Sequence, residues 1–190
     1  MLKIIQAPNE VLSSKAKEIL GSPPKVDRKL LKEMEEALDL AEDPKGVGLA
    51  APQVGKSLSF FIAKPSKKSK LQVFINPRIL SFGNLQTKIK KPRRRPEGSA
   101  RREKKLEGCL SLQDIWGEVK RPNVVSLEYF DENGKKHTKK FEGFMATIVQ
   151  HEIDHLEGIL FPKRVLEQKG KLYKSSKDDK DELIFDPINI

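Results

Sequence analysis

His151-Glu152-Ile153-Asp154-His155 is the stretch on which the reading of this chain turns. Two imidazoles four residues apart on a helix lie on one face, one turn apart, so both reach a single metal ion. The surrounding residues predict such a helix with that face buried. Phe144, Ile148, His151, His155 and Ile159 follow an i, i+4, i+7, i+11, i+15 rhythm, one stripe of a 3.6-residue period. Both histidines therefore stand where Leu or Ile would otherwise stand. Glu152 projects to the side of the stripe, which suits a proton-handling group beside a metal-activated water better than a third ligand. Asp154 reads either as an orienting partner for His151 or, on spacing alone, as an exposed helix-surface carboxylate. The same pentapeptide pattern also arises by chance, and paired histidines also occur as ordinary core residues, so the rest of the chain has to decide.

The 190 residues, 37% hydrophobic and 34% charged, predict a single globular domain with a real core. No stretch approaches the roughly 20 apolar residues of a membrane span, and Met1 to Asn9 carry no signal-peptide pattern. The sole cysteine, Cys109, excludes an internal disulfide and fits a reducing compartment. The cytoplasm is the expected location, with no membrane partner. The net charge of +10 is concentrated: Lys88 to Lys105 hold ten Lys or Arg against Glu97 and Glu103, which is +8 of the total. With Pro92, Pro96 and Gly98 and almost no apolar residues, this segment reads as a basic inserted loop spanning residues 83–106.

In chain order, an irregular arm (Met1 to Leu20) precedes a helix capped by Asp27 and running to about Glu42, with Leu30, Leu31, Met34, Leu38 and Ala41 inward. Gly46-Val47-Gly48-Leu49-Ala50-Ala51-Pro52-Gln53 follows. Glycines and alanines this dense let another group approach the backbone, and Gln53 offers an amide donor and acceptor. A phosphate-binding loop fails on spacing, since no Gly-Lys-Ser/Thr and no third glycine of a dinucleotide fingerprint are present. Leu58 to Ala63 and Leu71 to Ile75 predict strands, the second stopped by Asn76-Pro77, with a third starting at Ile79 to Phe82. Glu118 to Phe130 contains a strand, Glu132-Asn133-Gly134 a hairpin turn and Lys135 to Phe141 the return. Gly143 opens the histidine helix. Residues 164–190 read as a polar C-terminal tail without a motif, in a chain taken as one catalytic domain over 1–190.

A catalytic zinc-type centre holds three protein ligands and leaves a fourth position open. His151 and His155 supply two. Cys109, in Glu107-Gly108-Cys109-Leu110-Ser111, is the natural third, although a lone cysteine is more often a small buried hydrophobe. Taken together and in order, Gly46 to Gln53, Glu107 to Ser111 and His151 to His155 resemble the three signature motifs of peptide deformylase. The resemblance extends more weakly over residues 1 to about 162 and lapses in the basic segment and after Lys163.

The resemblance implies an α+β fold of antiparallel strands around a central metal-binding helix. It implies a hydrolase that removes the N-formyl group from the N-terminal methionine of nascent polypeptides, giving formate and a free amine. By motif position, Cys109, His151 and His155 would bind one ion per chain, Fe(II) in vivo, with zinc or nickel able to occupy the site. Glu152 would act as general base and then acid. Gln53 and the backbone N–H of Leu110 would face the formyl oxygen. Val47, Gly48, Thr147 and Ile148 would line the methionine pocket, Gly46 and Gly48 would offer backbone to an extended peptide, and Trp116 would cover the entrance or serve as an ordinary aromatic. Because deformylases act on chains leaving ribosomes, Lys88 to Lys105 is expected either to contact ribosomal RNA by phosphate attraction or to be a solvated loop without a partner. It has no interleaved aromatics for base stacking, and no DNA partner is expected.

Three rivals stay open on sequence. A zinc endopeptidase shares the His-Glu-x-x-His spacing but needs a downstream ligand, and no histidine follows His155. A nucleic-acid-binding protein with a closed structural site would need a fourth ligand, for which only His137 is at hand, in a lysine-flanked strand where it is expected to be exposed. An enzyme acting on formyl groups of other compounds is the third.

Overall fold

The structure is a computed structural model that describes residues 2–83, 106–178 and 183–188. The basic segment, apart from its end residues, lies outside them. In chain order the described elements are α1 (Glu10–Ser13), α2 (Arg28–Leu40), β1 (Gly48–Ala50), a 3-10 turn (Ala51–Val54), β2 (Phe60–Ala63), β3 (Gln72–Phe82), β4 (Glu107–Cys109), β5 (Leu112–Gly117), β6 (Val124–Phe130), β7 (Lys136–Glu142), α3 (Gly143–Leu156), α4 (Phe161–Glu167), β8 (Leu172–Lys177) and β9 (Leu183–Pro187). The strands form two antiparallel sheets, ordered β1-β2-β3-β6-β7 and β4-β5-β8-β9, so the α+β expectation holds.

The five-stranded sheet is buried on both faces at β1, β2 and the start of β3, which explains why Phe60 to Ala63 and Val73 to Ile75 are unbroken apolar runs, while β7 is largely exposed. Successive side chains point to opposite faces. Phe61, Ala63 and Phe74 meet Ala146, Ile148, Val149 and Leu156 of α3. Phe60, Ile62, Val73 and Ile75 meet Leu31, Met34, Ala37 and Leu38 of α2. Asp27 caps α2 as expected, its side chain accepting the N–H of Lys29 at 2.9 Å.

Four expectations change. Asn76-Pro77 does not end a strand: β3 runs through it, with a register shift against β6 between Ile75 and Arg78. Asn76 sits at φ 47° and its side chain bonds both backbone groups of Ile19, so the dipeptide forms a bulge, where a proline without an N–H is tolerated. Residues 164–190 are not a featureless tail, because they complete α4 and supply β8 and β9, which extend the second sheet. The predicted apolar stripe breaks at both ends: Phe144 is 58% exposed, and α3 stops at Leu156, before Ile159. His137 is half-buried instead of exposed, bonded to Asp131 at 2.7 Å and stacked on Tyr129.

Candidate metal centre

The site forms where α3 approaches β4. His151 and His155 lie one turn apart on α3 with ring centroids 5.0 Å apart, and Cys109 ends β4 opposite them. Cys109 Sγ lies 3.2 Å from His155 Nε2. One donor atom from each of the three residues falls within 4.8 Å of the others, forming a group able to hold a metal ion. A thiolate with two imidazoles, nearly closed off from water, is a donor set suited to a divalent transition metal, so these residues fit the group that the motifs imply. Glu107 Oε2 is 3.1 Å from His151 Nδ1, which leaves Nε2 as the ring's ligating atom.

Glu152 is buried between this cluster and β1. A Cβ on Gly48 would collide with Glu152 Oε1, so only glycine admits the carboxylate at this place. Its other oxygen, Oε2, and His155 Nδ1 are the buried side-chain atoms without a hydrogen-bond partner among the described residues. Burial pushes the Glu152 carboxyl up to about 7, in the range where a carboxyl group can both take and return a proton near neutral pH. Burial likewise holds His155 well below the usual imidazole range, so the ring is neutral and its nitrogen free to ligate.

Gln53 is fixed from the other side. Its Oε1 accepts the N–H of Ala50 at 2.9 Å, the reach-back half of a capping box, and this turns Nε2 toward Cys109 Sγ (3.6 Å) and Ser111 Oγ (3.3 Å). The N-terminal arm binds both motifs together: Ile5 donates to the Gln53 carbonyl at 2.8 Å, Ala7 to the Ser111 carbonyl at 3.0 Å, and Gln6 Nε2 to the Leu110 carbonyl at 2.9 Å.

The expected pocket residues are less uniformly placed. Val47 and Ile148 pack with the core on the α3 face of the sheet, and Thr147 is half-buried beside them. Gly46 gives its N–H to the Ala41 carbonyl, so that donor is already used. Gly48 lies on β1, an edge strand with one side unpaired among the described residues. Trp116 sits on β5, its ring pressed against Gly108 and its indole N–H donated to Ser175 Oγ at 3.1 Å, so it backs the cysteine strand.

The chain belongs to the peptide deformylase family. The family model for polypeptide deformylase matches residues 1–171. The peptide deformylase of Borreliella burgdorferi is 37% identical over 174 residues, covering 91% of this chain and 93% of that protein. The crystal structure of the Thermotoga maritima peptide deformylase superposes with a TM-score of 0.65 at 32% identity, covering 86% of this chain and 97% of that one. The Met-Ala-Ser-bound enzyme from Acinetobacter baumannii gives 0.64 at 30% identity, covering 86% and 98%. As a peptide deformylase, the chain removes the N-formyl group from nascent polypeptides.

Asp154 corrects the spacing-based expectation of an exposed carboxylate. It is buried, and it bonds Arg121 and Arg164. Arg121 had no signal in the sequence at all, since an arginine in a chain rich in basic residues stands out only once its partners are known. Glu107 was visible only as part of its motif. Burial, its largest influence, pushes Glu107 up, but hydrogen bonds from His151 and Arg121 outweigh it and hold the carboxyl below its usual range. A further site residue of this deformylase is therefore a carboxylate locked in the ionised form behind a histidine.

Proposed function

We propose that this chain hydrolyses N-formylmethionyl peptides at one divalent ion held by Cys109 Sγ and the Nε2 atoms of His151 and His155, with Fe(II) as the native ion and zinc or nickel able to replace it. The observation that carries the reading is the three-donor cluster beside the buried, unpartnered Oε2 of Glu152. An ion there supplies Lewis acidity, which brings water into range as a nucleophile near neutral pH. Glu152 takes the proton from the attacking water and delivers it to the departing nitrogen as the formyl C–N bond breaks, releasing formate and the free amine. Gln53 Nε2 and the Leu110 N–H donate to the oxygen on which charge grows. The Gln53 contact to Ser111 is long and that to the Cys109 sulfur is intrinsically weak, so the amide can exchange them for a developing oxyanion.

The extended peptide pairs with the free edge of β1 at Gly48, with the loop at Gly46 leading into it. Val47, Gly48, Thr147 and Ile148 line the methionine side chain, and Trp116 shapes the opposite wall by holding Gly108. The enzyme works in the cytoplasm, and Lys88 to Lys105 contact ribosomal RNA through phosphates. Deleting residues 88–105 should then lower ribosome co-sedimentation and its salt dependence; unchanged binding at two salt concentrations would remove that partner.

The primary test is formate release from a formyl-methionyl tripeptide by anaerobically purified protein of known metal content, alongside Glu152→Ala. Turnover by the parent, with metal kept and turnover lost in the variant, is the expected result. Absence of turnover at full metal occupancy would overturn the substrate assignment.

A further inference from the structure

Behind the metal cluster, a line of charged side chains runs from His151 to the protein surface. Glu107 bonds His151 Nδ1 through Oε2, and Arg121 grips the same carboxylate with both arms of its fork, Nε to Oε1 at 2.7 Å and Nη2 to Oε2 at 3.0 Å. The third arm of Arg121, Nη1, donates to Asp154 Oδ2 at 2.8 Å. Asp154 Oδ1 accepts in turn from Arg164, Nη2 at 2.7 Å and Nε at 3.2 Å, and Arg164 Nη1 reaches Glu167 at 3.1 Å. The side chains of Glu107, Arg121 and Asp154 are 11%, 7% and 10% exposed, while that of Arg164 is 34% exposed. Arg164 is thus more exposed than Glu107, Arg121 and Asp154, and with Arg121 and Asp154 it lines a cleft of about 710 Å³.

Among the buried side chains of the line, Glu107 and Asp154 are two carboxylates against the single guanidinium of Arg121, and Arg164 supplies a second guanidinium at Asp154. Without Arg164, one buried guanidinium has to serve two buried carboxylates, and an unpaired buried charge is far more costly than an unpaired exposed one. The available response is for Arg121 to shift toward Asp154, and every such shift loosens the two-armed grip on Glu107 that fixes the plane of the His151 ring.

We propose that Arg164, which touches none of the metal ligands, is a positioning residue for the metal centre: by neutralising Asp154 it keeps Arg121 committed to Glu107, and so keeps His151 aimed at the ion. This rests on the three-ligand reading above. It sets how long the ion stays, a property distinct from the chemistry at Glu152.

The test is the rate at which metal-loaded protein gives up its ion to an excess of chelator, followed well below each variant's melting temperature. Arg164→Met should release the ion about 10-fold faster than the parent, the low end of the affinity loss that follows removal of a group supporting a metal ligand, carried here by the release rate. Arg164→Lys, which keeps the charge, should recover most of the difference. Glu167→Gln, which removes only the exposed outer contact, should release at the parent rate. In an Asp154→Asn background there is no charge left to neutralise, so adding Arg164→Met should change release by less than about threefold.

Parental release by Arg164→Met, or an equal acceleration in both backgrounds, would overturn the proposal, because a merely structural arginine lowers the melting temperature without this pattern. If Arg164→Met does not fold, the double variant decides: folded and slow to release supports the role, folded and fast overturns it. Metal content of the parent is measured first. A parent that holds no ion overturns the metal centre itself, whereas one ion released at a single rate by all variants overturns only the positioning role.

Discussion

The five-stranded sheet is covered on both faces where β1, β2 and the first half of β3 lie between α2 and α3, whereas the four-stranded sheet shelters a small cluster of Cys109, Phe161, Val165 and Leu172 and leaves β9 exposed along its length. The metal centre draws on both. Its two histidines belong to a helix seated on the thick sheet, and its cysteine belongs to the thin one. The contrast teaches a division of labour. Packing places α3 with Glu152 and the Gln53 turn, whereas Cys109 and the Glu107 that orients His151 sit on strands with little apolar burial, so an ion held there would tie the thin sheet to the frame.

That contrast can be broken by mutation. Phe74→Ala empties a fully buried position stacked on Phe61 and should lower stability by about 3–5 kcal/mol. Leu172→Ala, its counterpart in the thin sheet, should lose about 2 kcal/mol, at the low end for such truncations. Urea denaturation of metal-free protein measures both, and equal losses would remove the distinction.

Gln53→Ala tests the site itself. It should reduce kcat/KM by about 10²–10³-fold with the ion retained, the usual loss for one oxyanion donor. Loss of metal together with activity would assign Gln53 to the frame instead.

Glu152→Gln measures what the frame gives up to hold a buried carboxylate. With its pKa raised from 4.5 to about 7, native Glu152 binds its proton more tightly than unfolded Glu152 does. Between those values the native state carries the extra proton, so stability falls as pH rises through the window. The metal-free Gln variant should therefore match the parent near pH 4.5 and exceed it by up to about 3 kcal/mol above pH 7. An advantage independent of pH would mean that packing, not charge, sets the difference.

The smallest effect sharpens the comparison most directly. Chelation should speed amide exchange in β4 and β5 more than in β2 and β3. Uniform acceleration would show that the ion stabilises the molecule as a whole.

The sequence was most readable where chemistry restricts residue choice. Cys109, His151, Glu152 and His155 stood out because few residue types can do their work, and the structure gathers them. The α2 cap was readable because Asp27 stands just ahead of a helical apolar rhythm, and the runs of β2 and early β3 because burial on both faces demands continuous apolar residues. β8 and β9 were not, since Leu172 to Lys177 is mostly Lys and Ser with only Leu172 and Ser175 buried, too little contrast to register as a strand. The continuation of β3 past Pro77 depended on Asn76 reaching Ile19, 57 residues away, which no local rule anticipates. Asp154 failed for the same reason: its partners, Arg121 and Arg164, are 33 and 10 residues distant and ordinary in themselves.

The N-terminal arm carries an implication for how this protein tolerates change in length. Chain ends ordinarily accept insertions and deletions without penalty. Here Ile5 and Ala7 donate to Gln53 and Ser111, so residues near the start of the chain close a seam between two motifs 58 positions apart. Inserting one residue between Ile5 and Ala7 would put the two donors out of step with their acceptors. Additions ahead of Leu2 leave that spacing intact, so the boundary of length tolerance falls inside the first seven residues and not at the first helix.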